Sequence, residues 1–282
     1  MQVVSFLGTG LLGGGFVHRM LQKGVRVNIW NRTRSKADKL RLEGAIVFDD
    51  PASAIRGTEL IHLALRDDAS VDDVLSLADL QAGQTVIDHT TTSREGALRR
   101  TAYWAGRGVT YQHAPVFMGP ANAREGSGLM LISGDRTIVD RWSAYLSGLT
   151  GRLVDLGDET GKAAAIKLAG NTFLVCFTFG LRETMGVAKS LDLGHEDLVQ
   201  LFKLWNPASM VESRLDRMSK ADGGQPSWEL SMARKDTGLF MEAAQHAGVE
   251  LTLLPAIAEV MDLWIGMGFG QHDWTIVGKD FR

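Results

Sequence analysis

The chain has 282 residues, too many for one small core and enough for one large or two modest domains. A formal net charge of −3, with 22% charged and 45% hydrophobic residues, excludes the basic surface that nucleic acid demands and describes an ordinary globular composition. The single cysteine, Cys176, excludes an internal disulfide or a cysteine metal cluster, and points to a reducing, cytoplasmic setting.

In chain order, short β-rich runs fall at 3–7, 25–30, 60–65, 85–88 and 110–114, with two more at 129–133 and 151–156. Helical patterns lie between them, among them 16–22, 34–42 and 70–77. This alternation predicts an α/β fold on a parallel, doubly wound sheet. The first apolar run is too short for a signal peptide. Beyond Gly157 the chain reads as helical, broken at 206–207, 223–226 and 266–270, and 160–189 reads as one long helix. Its stretch 163–181 is almost continuously apolar, but Lys167 inside it is costly in lipid. The expectation is a helix buried in protein, no membrane, and a homodimer formed through the long helix and the C-terminal domain. The seven histidines show no metal-binding spacing, so no metal is expected. Of these, His89 and His113 end predicted strands, either lining a cleft or making ordinary strand-end hydrogen bonds.

The first strand runs into Gly8-Thr9-Gly10-Leu11-Leu12-Gly13, a G-x-G-x-x-G loop. Gly8 permits the tight turn, Gly10 lets backbone approach a pyrophosphate, and Gly13 lets helix pack on strand. The helix start supplies N–H groups and a positive dipole end for phosphates. Phe16, Val17, Met20 and Leu21 make the helix's apolar stripe. A glycine loop alone is a weak sign, and a ligand-free glycine turn is the alternative; strand, loop, helix and second strand in order make a dinucleotide site specific. The second strand ends in Asn31-Arg32-Thr33-Arg34-Ser35-Lys36, without the acid that binds the ribose diol of NAD. Arg32 suits adenine stacking and a 2′-phosphate, and Thr33 offers a hydroxyl, so NADP is expected; Lys36 reads as a solvated helix start. Leu65 and Arg66 follow a strand at the carboxyl edge and should meet the cofactor through their backbone. The expected domains are a Rossmann domain at 1–158, an interdomain helix at 159–190 and an all-α C-terminal domain at 191–282.

Four more segments matter: Asp88-His89-Thr90-Thr91-Thr92-Ser93, Ala114-Pro115-Val116-Phe117-Met118-Gly119-Pro120, Gly161-x5-Lys167-x3-Asn171 and Arg234-Lys235-Asp236. Together with the glycine loop they resemble the β-hydroxyacid dehydrogenase family, which is related to 6-phosphogluconate dehydrogenase and to imine reductases. The first is similar to the family's D-x-S-T-x-x-P, with Thr90 replacing Ser and the Pro absent. It implies Thr90 and Thr91 beside substrate and nicotinamide; a turn capped by Thr92 or Ser93 is the compatible alternative. In the second, the family's A-P-V-S-G-G uses its serine and glycine amides to hold a substrate carboxylate. Here Phe117 and Met118 precede Gly119, so a hydroxyl donor is lost and the substrate pocket turns apolar.

Lys167 and Asn171, four apart, share one helical face. The resemblance implies Lys167 as general acid/base and Asn171 as a holder of the substrate oxygen. In so apolar a helix the lysine is desolvated and its pKa lowered, the alternative being a side chain that snorkels to solvent. The fourth segment implies Lys235 beside the nicotinamide. The expected function is an NADP-dependent oxidoreductase moving hydride between NADPH and the carbonyl of a small aldehyde or keto acid, or back from a hydroxyacid. Imine reduction is the alternative, although imine reductases carry Asp or Tyr where Lys167 stands. A non-catalytic NADP-binding scaffold is a third reading; loss of the serine at Phe117 argues for it, and retention of Lys167 and Asn171 against it.

Overall fold

The structure, a computed structural model, describes residues 3–220 and 225–281. It opens with β1 (Val3–Leu7), α1 (Leu11–Gln22), β2 (Arg26–Trp30), α2 (Arg34–Arg41), β3 (Ile46–Val47), α3 (Pro51–Ile55), β4 (Leu60–Leu63), α4 (Asp68–Leu77), β5 (Thr85–Asp88), α5 (Arg94–Ala105) and β6 (Thr110–His113). These strands form one six-stranded sheet in the order β3-β2-β1-β4-β5-β6, every pair parallel. The strand order reverses between β1 and β4, and that switch point at the carboxyl edge is where such sheets bind ligands. The period-two side-chain alternation divides the strands between two cores. Val4, Phe6 and Ile87 pack with Phe16, Val17 and Met20 on one face. Leu7, Ile61 and Leu63 pack with Val71 and Leu75 on the other.

Three differences from the predicted elements have physical causes. α1 starts at Leu11 rather than at residue 16, because a Leu-Leu-Gly-Gly-Gly run shows no apolar periodicity. The short β3 and α3 escape any periodic signal, although Asp50 capping Ser53 N–H at 2.7 Å, with Pro51 at the first turn, is a local helix-start signature. The runs at 129–133 and 151–156 do not extend the parallel sheet. They are β8 (Leu129–Ile132) and β9 (Arg152–Asp155), which join β7 (Val116–Phe117) in a separate sheet, β7 antiparallel to β8 and β8 parallel to β9. Pro115 has no N–H and ends the first sheet at β6, while its carbonyl accepts from Leu131 N–H at 2.9 Å and starts the second. α6 (Pro120–Glu125) and α7 (Arg136–Ser147) complete this part.

The long helix α8 runs Lys162–Ser190. Gly161 precedes it at φ +83°, a left-handed conformation that prevents an earlier start, and Ser133 Oγ accepts from Ala163 N–H at 3.0 Å. Two compact units divide inside α8, the first ending at Thr172 and the second beginning at Phe173. In the second unit follow α9 (His195–Leu204), α10 (Val211–Lys220), α11 (Leu230–His246) and α12 (Leu253–Trp264). Its core is Leu230, Ala233, Met261, Trp264 and Ile276. Buried Glu183 reaches from α8 to the start of α12 and accepts the N–H groups of Thr252, Leu253 and Leu254 at 3.0–3.2 Å, satisfying donors that a helix start leaves open. Of the predicted helix breaks, 223–226 lies partly outside the described residues.

The expectation that α8 is buried in protein is not met within one chain. Only 11% of its most apolar 18-residue stretch is buried, and Phe173, Leu174, Val175, Phe177 and Phe179 are each 43–57% exposed. The helix is long and apolar enough to cross a membrane, a test that the core or interface helix of a protein outside membranes also meets. Among the described residues, none covers the exposed side chains of this apolar stretch.

Candidate active site

The glycine loop closes between β1 and α1. Gly8 sits at φ +98°, and a Cβ there would lie 2.4 Å from the Ala64 carbonyl oxygen; one at Gly13 would lie 1.9 Å from the Gly8 oxygen. Both positions exclude any other residue. A Cβ on Gly10 would meet nothing within 4 Å, so the loop leaves open space just ahead of the helix. The first turn of α1 has neither a side-chain cap nor an acidic residue, leaving its N–H groups for an anion. Thr9 N–H donates to Asn31 Oδ1 at 2.9 Å, and Asn31 Nδ2 donates to the Thr33 carbonyl at 2.8 Å. Asn31 therefore ties the loop to the end of β2.

A cleft of about 880 Å³ opens at this edge. Of the predicted residues, Gly8, Gly10, Leu11, Leu12, Asn31, Arg32, Thr33, Leu65, Arg66, Thr90, Thr91, Met118 and Lys167 line it. Thr9, Phe117, Gly119 and Asn171 do not. Thr9 is 4% exposed, its N–H spent on Asn31. Gly119 is the N-cap of α6, and its N–H, expected to border the substrate pocket, donates to Asn122 Oδ1 at 2.9 Å. Lys235 belongs to the second unit, on α11, where its Nζ lies 2.7 Å from Asp236 Oδ1. Lys36, read from the sequence as solvated, lines the cleft with Arg32 and Thr33; the signal for it was its position one helical turn beyond Arg32. Arg32 has no ion pair among the described residues, whereas Arg34 is held by Asp38 and Asp49.

The floor is built from β4 and β5. Thr90 Oγ1 accepts from Leu65 N–H at 2.9 Å, Thr90 N–H donates to Asp88 Oδ1 at 2.8 Å, and His113 Nε2 donates to the Thr90 carbonyl at 2.8 Å. Ser93 caps α5 through Gly96 N–H at 3.0 Å, so capping and cleft lining coexist in this segment. His89 Nδ1 lies 2.8 Å from the Ala114 carbonyl, which only accepts, so Nδ1 carries the proton. Its Nε2 then accepts from His62 Nδ1 at 3.0 Å, and His62 Nε2 accepts from the Tyr145 hydroxyl at 3.1 Å. Both rings are neutral: burial pushes His89 down to about 4 and His62 well below the usual histidine range. For His89 the sequence left cleft lining and strand-end hydrogen bonding open; both occur, but its pairing with His62 across adjacent strands carried no sign in the sequence.

Lys167, on the first turns of α8, is 7% exposed. Its Nζ donates to Asn171 Oδ1 at 2.8 Å, one helical turn on, and stands 4.1 Å from the centroid of the Phe117 ring. Burial lowers its pKa below the usual lysine value. The site thus offers an uncapped helix start suited to an anion, a basic corner at Arg32 and Lys36, and the desolvated ammonium of Lys167, all lining one cleft. The open Gly10, the uncapped helix start and the cleft fit a dinucleotide.

Comparison with known proteins agrees with this geometry. The family described as the NAD binding domain of 6-phosphogluconate dehydrogenase matches residues 3–157. Glyoxylate/succinic semialdehyde reductase 1 of Arabidopsis thaliana is 26% identical over 282 residues, 97% of this chain and 96% of its own length. Among solved structures, an imine reductase from Myxococcus stipitatus in complex with NADP+ superposes with a TM-score of 0.91 at 20% identity, covering 99% of this chain and 100% of that one. A Streptomyces aurantiacus imine reductase gives a TM-score of 0.89 at 24% identity, with 100% of both chains covered. With its glycine loop and six-stranded parallel sheet, this chain belongs to the family of the 6-phosphogluconate dehydrogenase NAD binding domain, shares the fold of the imine reductases, and is an NAD(P)-dependent oxidoreductase of the hydroxyacid dehydrogenase type.

Proposed function

We propose that the protein is an NADPH-dependent carbonyl reductase in which Lys167 is the proton donor. The observation that carries this reading is the Lys167 ammonium, desolvated, hydrogen-bonded to Asn171 and lining the same cleft as the glycine loop. A bound nicotinamide supplies or takes up the hydride. The chain's own residues bind, orient and protonate. The α1 N–H groups and the open Gly10 hold the pyrophosphate, and Arg32, Thr33 and Lys36 hold a 2′-phosphate in a corner without a carboxylate from β2 to repel it. Thr90 and Thr91 border the reacting end. Lys167 Nζ gives its proton to the oxygen of a carbonyl as the carbon is reduced, yielding an alcohol; in reverse, the neutral amine takes that proton back. Asn171 holds the ammonium in place. A relative named for reducing glyoxylate and succinic semialdehyde supports a carbonyl acceptor. The positive charge of Lys167 opposes an iminium, so carbonyl reduction is preferred to imine reduction. The apolar face of α8 supports a homodimer as the working form.

The test is Lys167→Ala with NADPH and a panel of aldehydes, keto acids and one cyclic imine. Loss of one general acid costs about 10²–10⁴ in rate, so kcat for carbonyls is expected to fall by that factor with NADPH affinity kept. In the wild type, kcat for reduction falls as pH rises through the Lys167 pKa, which burial holds below the usual 10.5; that alkaline limb disappears in the variant. Near wild-type kcat in Lys167→Ala would refute the assignment.

A further inference from the structure

Among the described residues, Phe117 is the one aromatic ring that Lys167 Nζ stands over. Its ring lies against Gly170 as well, where a Cβ would come 2.4 Å from Phe117 Cζ and 2.8 Å from Cε1. The ring therefore occupies a notch that exists only because residue 170 has no side chain, and from that notch it roofs the ammonium at 4.1 Å. A ring face over a desolvated cation favours the cation. It also denies that side of the ammonium to any anion, because the ring's face is its negative region.

The other groups at this end are equally poor anion receptors. Gly119 N–H is spent on Asn122. Both ring nitrogens of His89 are engaged, with Ala114 and His62. Val116 and Met118 are apolar. Thr90 and Thr91 offer neutral hydroxyls, enough for a carbonyl oxygen but not for a carboxylate that has left water. Among the described side chains at this end, Thr90, Thr91, His89, Val116 and Met118, none is cationic, so Lys167 is the one charged partner they leave a carboxylate, and that pairing would hold the proton donor away from the carbonyl.

We propose that Phe117 is a specificity-determining residue and that the substrate is an uncharged carbonyl compound with an apolar substituent, an alkyl or aryl aldehyde or ketone, rather than a carbonyl acid. The inference rests on the reading of Lys167 as proton donor. Its structural content is separate: the Phe117 ring seated on Gly170 and Lys167 takes the place of an anion receptor. The reaction is an ordinary carbonyl reduction, in which NADPH gives the hydride to the carbonyl carbon, Lys167 gives the proton to oxygen, and the products are alcohol and NADP+.

The experiment compares kcat/KM with NADPH for succinic semialdehyde and for 4-methylpentanal, in which an isopropyl group replaces the carboxylate at equal chain length, with benzaldehyde as an aryl probe. In the wild type, 4-methylpentanal is expected to exceed succinic semialdehyde by at least about tenfold, a difference of about 1.4 kcal/mol. Phe117→Ser, which reopens the ammonium and adds a hydroxyl, is expected to reduce that ratio by at least about tenfold. Phe117→Leu, apolar but without the ring face, is expected to retain most of it. A wild-type preference for succinic semialdehyde overturns this inference and leaves carbonyl reduction standing, as does an unchanged ratio in folded Phe117→Ser. Reduction of neither aldehyde class overturns the reading of function and this inference with it. If Phe117→Ser fails to fold, the wild-type ratio together with Phe117→Leu still decides the matter.

Discussion

At the residue scale, Arg32 and Lys167 were both legible in the sequence, but for unlike reasons. Arg32 follows from its distance to the glycine loop, since the second strand of such a unit must end beside the ribose. Arg32 lines the cleft and has no ion pair among the described residues, while Arg34 is tied up by Asp38 and Asp49. Charge-assisted hydrogen bonds contribute about 1.5–3 kcal/mol, so Arg32→Ala is expected to raise the Kd for NADPH by about 10- to 100-fold. The Kd for NADH should change little, and titration by cofactor fluorescence reads both; equal losses for the two cofactors would show that Arg32 does not read the 2′-phosphate. Lys167 was marked by its spacing to Asn171, and the structure adds its 2.8 Å bond. The roof over it was not legible: Phe117 and Gly170 are 53 positions apart, and only folding brings a ring to an absent side chain.

At the element scale, α8 combines two roles along its length. Its first turns are sealed by Ser133 and carry a buried lysine. Its middle leaves Phe173, Leu174, Val175, Phe177 and Phe179 in solvent, with Phe173 and Phe177 stacked at 6.2 Å. Patches of this kind mark an interface, and the length that made the helix legible also makes it resemble a membrane span. Arg182 and Glu183 near its end, paired at 2.9 Å, are as unsuited to lipid as Lys167. Each buried Phe contributes about 1.5–3 kcal/mol, so the double substitution Phe173→Asp and Phe177→Asp is expected to convert a dimer to monomers in sedimentation velocity at micromolar concentration. A wild-type monomer, or wild-type partition into neutral lipid vesicles, would remove the homodimer reading. The glycine-rich start of α1 is the opposite case: its position dictates the site, yet no periodicity announced that the helix begins at Leu11.

At the scale of the whole molecule, the first unit stacks its two cores on one sheet and threads a neutral polar chain, Tyr145, His62 and His89, through it. That chain makes stability depend on pH. Burial holds His89 at about 4 when folded, against 6.5 when unfolded. Between those values the unfolded chain binds the proton and the folded chain does not, so stability rises with pH there. The contribution is fully present above 6.5 and is lost as pH falls toward about 4, on the order of 3 kcal/mol for His89 alone. Urea unfolding at pH 7 and at pH 4.5 is expected to show the loss, and His89→Gln should flatten it; an equal slope in the variant would assign the acid sensitivity elsewhere.

What the sequence determined by itself is what depends on local spacing. The glycine loop needs residues that tolerate Gly8's positive φ and Gly13's close approach. The strand–helix alternation needs only periodicity, and the Lys167–Asn171 pair needs only one helical turn. Tertiary structure decided what depends on non-local contact. It separated β7, β8 and β9 into their own sheet once Pro115 stopped the first. It spent Gly119 N–H on a helix cap, paired His62 with His89 across neighbouring strands, and brought the Phe117 ring over Lys167. The strand–loop–helix order thus made a nicotinamide site readable from residues close in the chain, whereas the shape and charge of the reacting end are set by residues far apart that no spacing rule connects.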